Sequence, residues 1–173
     1  DLIIQESGAA SLSPLSHPGG DKRIIEQEEQ SEELQGREAT RFRAVAARAN
    51  YLQTDRPDIQ YSVKEICRRM AKPATSDWQK LVRLAKCLKG APRLVWEFQW
   101  QEGKDGIPPC GFSDNDWAGD RKTTKSTSGG LIMRGRRLIK AWSRTQDSIT
   151  LSSAEAELVA LGKLAMEIIG IRS

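Results

Sequence analysis

The chain has 173 residues, of which 38% are hydrophobic and 29% charged, and its formal net charge is +4. This length suits one domain, or one domain with part of another, at ~100–200 residues per domain. No apolar run approaches the roughly 18 residues of a membrane span, and the first residues lack a signal-peptide pattern, so we expect an intracellular protein without a membrane partner.

The charge is divided unevenly along the chain. Residues 1–40 hold nine acidic side chains against three basic ones, a net charge of −6, so residues 41–173 carry +10. The first segment also lacks aromatic residues, and its low apolar content predicts a disordered acidic linker or tail. The basic remainder indicates either a polyanionic partner such as nucleic acid or an ordinary solvated face.

Three amphipathic helices are predicted over residues 41–92. The first ends near Thr54, the second follows the proline cap Asp55-Arg56-Pro57, and the third starts at a capping box of Ser76 and Gln79. Their apolar faces are Phe42, Val45, Ala46, Ala49 and Leu52; Ile59, Val63, Ile66, Cys67 and Met70; and Trp78, Leu81, Val82, Ala85 and Leu88. The short connections between them predict one helical unit.

After residue 93 the apolar period becomes two, which predicts strands over residues 94–100, 110–114, 129–134 and 138–144. The basic connection at 134–137 makes the last two a hairpin. Ser152 and Glu155 form a capping box that opens a final helix. The five tryptophans are expected to pack in the interior or between domains rather than stack on bases. The sequence thus predicts an α+β chain, with residues 93–173 as its second domain.

Carboxylates are the candidates for any chemistry. The three cysteines contain no C-x-x-C pair, and the single histidine, His17, lies in a Ser/Pro/Gly-rich stretch. Asp114 ends a predicted strand and Glu157 lies in the first turns of a predicted helix, an arrangement that suits a hard divalent cation such as Mg²⁺. The alternatives are a loop-capping role for Asp114 and a favourable helix-terminus charge for Glu157.

Several sequence blocks then follow in a recognisable order. Ser113-Asp114-Asn115-Asp116-Trp117-Ala118-Gly119-Asp120 is followed by Lys125-Ser126-Thr127-Ser128-Gly129, Ala141-Trp142-Ser143 and Leu151-Ser152-Ser153-Ala154-Glu155-Ala156-Glu157. These blocks resemble the ribonuclease H segment of copia-type retrotransposon polyproteins. Upstream, Tyr51-Leu52, Thr54-Asp55-Arg56-Pro57-Asp58-Ile59 and Leu88-Lys89-Gly90 resemble the connection between polymerase palm and ribonuclease H in that family. The resemblance covers about residues 41–173.

The resemblance implies hydrolysis of the RNA strand of an RNA/DNA hybrid with two divalent ions, Mg²⁺ or Mn²⁺. It assigns catalytic and metal-binding roles to Asp114 and Glu157, with Asp116 as a candidate outer-shell ligand. Glu155 is explained instead as the capping partner of Ser152. The implied partners are an RNA/DNA hybrid or other nucleic acid and the remainder of the polyprotein, including its polymerase domain.

Basic residues near this site are candidate phosphate contacts, because cations track a nucleic-acid backbone without reading its sequence. They are Arg121, Lys122 and Lys125. The alternative is an ordinary charged loop.

The family's site has at least one further aspartate on a strand after the helix, and the chain stops at Ser173 before such a strand. We therefore expect a truncated ribonuclease H-like mixed sheet of three strands and then a helix, inactive as an isolated chain. The alternative is a catalytically dead retroelement relic that acts at most as a basic nucleic-acid-binding or scaffold module. A cytoplasmic particle or the nucleus is the expected location.

Overall fold

The computed structural model describes residues 2–19, 31–98, 100, 107–120 and 123–172. The chain divides into two compact units, Asp1–Val95 and Trp96–Ser173, and each has its own apolar core. Within the described ranges no helix combines the length and the apolar character needed to cross a membrane.

The first unit is helical. It contains α1 (Leu2–Ser7), α2 (Gly36–Leu52), a 3-10 turn (Pro57–Ile59), α3 (Gln60–Cys67) and α4 (Thr75–Gly90). The apolar faces expected from the helical period meet in its core, which includes Phe42, Val45, Ala46, Ala49, Ile59, Val63, Ile66, Leu81, Ala85 and Leu88. The three predicted helices are present, and burial of these faces stabilises them.

The structure differs from the disordered linker or tail expected for residues 1–40. Helix α1 places Ile3 in the core, where Ala9 is also buried, and the Leu15 N–H donates to the carbonyl of Lys86 on α4. Helix α2 already begins at Gly36. A few aliphatic side chains are enough to order this segment because the apolar core of the helical unit is available for them to pack against. The acidic run over residues 26–30 lies outside the described residues.

Helix α4 begins with a cap other than the predicted one. A carboxylate oxygen of the buried Asp77 accepts the N–H of Ala74 at 2.9 Å, whereas the Ser76 hydroxyl bonds to the Ser31 hydroxyl at 3.1 Å. Arg69 Nε lies 3.5 Å from the same Asp77 carboxylate. The predicted capping box of Ser76 and Gln79 was therefore wrong, because Asp77 sits one turn into the helix and reaches back to its first N–H groups.

The second unit contains a three-stranded sheet. Strands β1 (Pro109–Asp116), β2 (Thr127–Arg134) and β3 (Arg137–Thr145) lie in that order, and both pairings are antiparallel. A two-residue turn joins β2 to β3, and Gly135 has φ +59° there, which only glycine adopts without strain. The predicted hairpin is thus confirmed, whereas the sheet is antiparallel rather than mixed over the described strands.

The strand predicted over residues 94–100 is absent from residues 94–98 and 100. Val95 and Trp100 are 85% and 87% exposed, and the rings of Trp96 and Phe98 stack with centroids 6.2 Å apart. The expectation of interior packing therefore fails for Trp100, although it holds for the buried Trp142. A period of two marks a strand only where a neighbouring strand supplies backbone hydrogen-bond partners.

Helix α5 (Ser153–Arg172) packs on one face of the sheet. A Cβ at Gly111 of β1 would lie 2.6 Å from Leu164 Cδ1 and 2.8 Å from Ile168 Cδ1. Ile132, Trp142 and Leu164 form the buried core between helix and sheet. The contacts of Gly111 identify the face of β1 that α5 covers.

Candidate functional site

Asp114 lies near the end of strand β1, two residues before its last residue, Asp116. Since side chains alternate along a strand and Gly111 faces α5, Asp114 and Asp116 lie on the opposite face of the sheet. Both aspartates are exposed. The prediction that they share one side of the strand agrees with this register, while the metal role of Asp114 and the outer-shell role of Asp116 stay predictions.

The start of α5 has the predicted cap of Ser152 and Glu155, although the carboxylate accepts the N–H of Leu151 rather than that of Ser152. The Ser152 hydroxyl oxygen accepts the N–H of Glu155 at 3.1 Å, and Glu155 Oε2 accepts the N–H of Leu151 at 2.7 Å. The carboxylate of Glu155 is thus engaged in holding the helix start. This bears out its assignment as a capping residue and leaves Glu157 as the acidic candidate of this turn.

Glu157 is exposed and lies on the side of α5 that is directed toward β1. It precedes Leu164 by seven residues and Ile168 by eleven, a spacing that places all three on one stripe of a helix. Leu164 and Ile168 are the side chains that meet Gly111 of β1. Glu157 therefore lies on the β1 side of the helix, about two turns closer to its start.

A buried glutamine, Gln146, fixes the position of the first turn of α5 along the strands of the sheet. Gln146 Nε2 donates to the Ser128 hydroxyl and to the Ala156 carbonyl, both at 2.9 Å. Ser128 is the register partner of Asn115. The first turn of α5 consequently lies level with the end of β1, and Asp114 and Glu157 belong to the same end of the sheet. Sequence reasoning missed Gln146, because a single glutamine after a strand carries no periodic signal.

The loop after β1 is held by hydrogen bonds to neighbouring elements. Trp117 Nε1 donates to the Thr150 carbonyl at 3.2 Å, and the Ala118 N–H donates to the Ser126 hydroxyl at 3.1 Å. Ala118 and Thr124 have φ of +51° and +54°, in the left-handed region that non-glycine residues adopt at a cost. These bonds fix the loop next to the acidic strand end.

The acidic residues do not by themselves make up a metal centre. Among the described residues no group of three or more His, Cys, Asp or Glu side chains has a geometry that could hold a metal ion. Mg²⁺ requires near-octahedral oxygen coordination, and two carboxylates supply only part of it. Metal binding by Asp114 and Glu157 stays a prediction.

The predicted phosphate contacts are only partly within the described residues. Arg121 and Lys122 lie outside them. Lys125 is half-buried, and its carbonyl accepts the N–H of Asp120 at 3.2 Å. Elsewhere on this unit the Lys140 ammonium donates to Glu167, which holds the pKa of that carboxyl below its usual range, and Lys163 adds to the effect. A nucleic-acid role for the three loop residues stays a prediction.

The upstream block Thr54-Asp55-Arg56-Pro57-Asp58-Ile59 forms a local ion pair. The buried Arg56 donates from Nε and Nη2 to the two oxygens of Asp58, at 2.9 and 2.8 Å, and from Nη1 to the Ala91 carbonyl at 2.9 Å. The hydrogen bond from Arg56 lowers the pKa of Asp58. This block therefore ties the 3-10 turn to the end of α4, which is a structural role.

The chain thus combines a helical unit with an antiparallel sheet whose terminal aspartate is followed, after a hairpin, by a helix with an acidic first turn. It is 32% identical over 73% of its length to the uncharacterized mitochondrial protein AtMg00810 of Arabidopsis thaliana, and 29% identical over 75% to the retrovirus-related Pol polyprotein from transposon RE2 of the same plant. The chain belongs to the copia-type retrotransposon Pol polyproteins.

The matched region is a limited part of these relatives. The chain spans 52% of the mitochondrial protein and 9% of the RE2 polyprotein. It is also 32% identical to the secreted RxLR effector protein 161 of Plasmopara viticola, over 72% of this chain and 85% of that protein. No family model and no solved structure matches.

Proposed function

We propose that this chain is the reverse transcriptase connection region and the start of the ribonuclease H domain of a retrotransposon polyprotein. The complete polyprotein would hydrolyse the RNA strand of RNA/DNA hybrids. The observation that carries the proposal is that Gln146 sets the first turn of α5, which precedes Glu157, level with the end of β1, where Asp114 lies on the face of the sheet opposite the helix.

The charge distribution supports nucleic acid as the partner. Residues 41–173 carry a net charge of +10, which favours a polyanion at long range and in a salt-dependent manner. An A-form-like hybrid is recognised through its shape and its 2′-hydroxyl groups, so point charges such as Lys125 suffice for positioning. A cytoplasmic particle or the nucleus is the location that this partner implies.

The proposed cofactor is Mg²⁺ or Mn²⁺, held by the complete domain. Asp114 and Glu157 would supply two of its oxygen ligands, and the described residues of this chain do not provide a full set. The metal would activate water and stabilise the leaving oxygen. We expect these two carboxylates, rather than Glu155, to be essential because Glu155 is used by the helix cap.

The test is metal-dependent cleavage of a hybrid labelled on its RNA strand, by the polyprotein region that contains this chain. Asp114→Asn and Glu157→Gln should each reduce cleavage by more than about 100-fold, because even loss of a metal's outer-shell partners costs roughly 10–100-fold. Asp147→Asn is the matched control, since Asp147 is an exposed carboxylate outside the site. Undiminished cleavage by both site variants would refute the assignment.

A second candidate function is that of a basic binding or scaffold module without catalysis. It is favoured by the incomplete metal ligand set among the described residues. Hybrid binding by this chain alone, measured by fluorescence anisotropy, should then weaken steeply with salt while the RNA strand stays intact. Cleavage by the isolated chain that Asp114→Asn abolishes would exclude this alternative.

A further inference from the structure

Strand β2 contains two successive glycines, Gly129 and Gly130, whose surroundings differ. A Cβ at Gly130 would lie 2.1 Å from an atom of the Trp142 ring, so the packing of that ring requires glycine there. A Cβ at Gly129 would meet one atom of the described residues within 4 Å, the Asp114 carbonyl oxygen at 3.9 Å, which is an ordinary contact. Packing within the described part of the chain therefore accounts for Gly130 but not for Gly129.

The backbone of Gly129 does not require glycine either. Its φ lies outside the left-handed region, so other residues can adopt its conformation. Glycine inside a strand weakens the strand, and it marks a bulge or the close approach of a ligand or another backbone. The pairing of β2 with β1 passes through Gly129 without a register shift, which excludes a bulge there. Close approach by another molecule is the explanation that remains.

Gly129 lies directly beside Asp114 on the face of the sheet opposite α5. The two residues are register partners, and the side chains of such partners are about 4.5–5.5 Å apart. Directions alternate along a strand, and Gly130 faces Trp142 in the core between the sheet and α5, so Gly129 faces away from the helix. Gly129 is half-buried. A molecule that reaches the Asp114 carboxylate from this face therefore passes over Gly129.

The missing side chain leaves a depression, which we name the Gly129 notch. Its neighbours on the same face are Asp114 and Ser143 across the strands and Thr127 and Leu131 along β2. At a strand spacing of about 4.8 Å and a rise of about 3.4 Å per residue, the backbones that bound the notch are about 10 Å apart across the strands and about 14 Å apart along β2. A single sugar-phosphate unit fits between them, and a branched side chain at position 129 would fill the same space.

We propose that the sugar-phosphate backbone of the RNA strand passes over Gly129 in direct contact, so that the absence of a side chain sets how closely the phosphate approaches Asp114. A protein segment in the notch would desolvate the exposed carboxylates of Asp114 and Asp116 without supplying a cation, at a high cost. A phosphate instead reaches a carboxylate through a shared divalent ion. This inference rests on the proposed function, because it assigns a substrate contact to the same site.

The first measurement is thermal unfolding of the full chain. Gly129→Ala should leave the midpoint of the second unit unchanged or raise it, because the added Cβ has room and alanine weakens a strand less than glycine does. Gly130→Ala, its neighbour on the other face, should lower that midpoint by at least about 4 °C through its overlap with the Trp142 ring. Equal decreases in the two variants would overturn the proposal, because Gly129 would then serve the packing of the sheet.

The second measurement is cleavage of a hybrid labelled on its RNA strand, by the polyprotein region that contains this chain. Gly129→Val should lower kcat/KM at least about 100-fold and Gly129→Ala should lower it less, because a misplacement of about 1 Å at a reacting group costs about 100-fold. Cys110→Val is the matched control, since Cys110 is exposed on the same face four residues before Asp114, and it should leave kcat/KM unchanged. The Mg²⁺ concentration at half-maximal rate should be the same for Gly129→Ala as for the wild type, because a methyl group adds no charge.

Asp114→Asn, measured alongside, separates this inference from the proposed function. Loss of cleavage in Asp114→Asn with undiminished cleavage by Gly129→Val would overturn the contact at Gly129 and leave the proposed function standing. Undiminished cleavage by both variants would overturn both. Equal losses in Gly129→Val and Cys110→Val would also overturn the inference, because the effect would then not depend on the notch.

Discussion

The second unit depends on a small core, so truncation of one core side chain should have a large effect. Its buried apolar residues among those described are Ile132, Trp142, Ala156, Ala160 and Leu164. Leu164 is 4% exposed and packs against β1 at Gly111. Replacing Leu164 with alanine removes a packing contact between α5 and the sheet and leaves a cavity between them.

The expected loss for Leu164→Ala is about 3 kcal/mol of unfolding free energy, within the range of roughly 2–5 kcal/mol for buried leucine truncations. At roughly 0.05–0.15 kcal/mol per residue, a unit the size of Trp96–Ser173 has only about 4–12 kcal/mol in total. The substitution should therefore remove between about a quarter and three quarters of the stability of this unit and lower its urea midpoint, while the midpoint of the helical unit stays unchanged.

The assay is urea denaturation followed by tryptophan fluorescence, since Trp142 lies in the same core as Leu164. Hydrogen exchange at β2 and α2 amides would assign the transition to a unit. Leu151→Ala is the matched control because it removes the same atoms from a leucine that is 88% exposed, and it should change stability by less than about 0.5 kcal/mol. Equal effects of the two alanine variants would refute the reasoning.

Three further outcomes are expected. Arg56→Ala should cost the helical unit about 2 kcal/mol in a urea titration, since it leaves Asp58 and the Ala91 carbonyl without their charged donor; a change below about 0.5 kcal/mol would contradict this. Because Arg56 lowers the folded-state pKa of Asp58 below its ordinary 3.8, the pair's stabilisation is present above pH 3.8 and is lost as the pH falls through the lower folded value. Asp58→Asn should flatten that acid dependence of the midpoint, and an unchanged slope would count against it. Gly130→Ala should destabilise the second unit by about 1–3 kcal/mol in thermal unfolding, because its Cβ would overlap the Trp142 ring; wild-type stability would show that the ring moves freely.

Much of the fold was predictable because periodic burial leaves a periodic sequence. The faces that include Phe42, Val63 and Leu81 meet in one core, and the last three predicted strands and the final helix occupy the predicted positions. The wrong predictions concern local structures that are determined by contacts with distant segments of the chain. Residues 94–98 alternate without a strand partner, and α4 takes its cap from Asp77 rather than from Ser76.

The sequence indicated which residues are candidates for the site, but it said less about how they are arranged in space. The motif around Asp114 could be recognised from its resemblance to a known family, and the capping role of Glu155 from its spacing to Ser152. The contribution of Gln146 could not, because it depends on the simultaneous approach of β2 and α5. Contacts between distant segments leave no local pattern for a single sequence to reveal.

The packing of α5 on the sheet also depends on the ability of Gln146 to donate two hydrogen bonds. Its carboxamide nitrogen supplies both protons, one to Ser128 and one to the Ala156 carbonyl. A glutamate of the same shape would present only acceptors when ionised, and would direct a charge at a carbonyl oxygen. Protonation of that glutamate would restore a single donor. In a chain with Glu at this position, α5 would be displaced from the sheet at neutral pH. Acidification would then partly restore its packing, because the protonated side chain again donates one hydrogen bond.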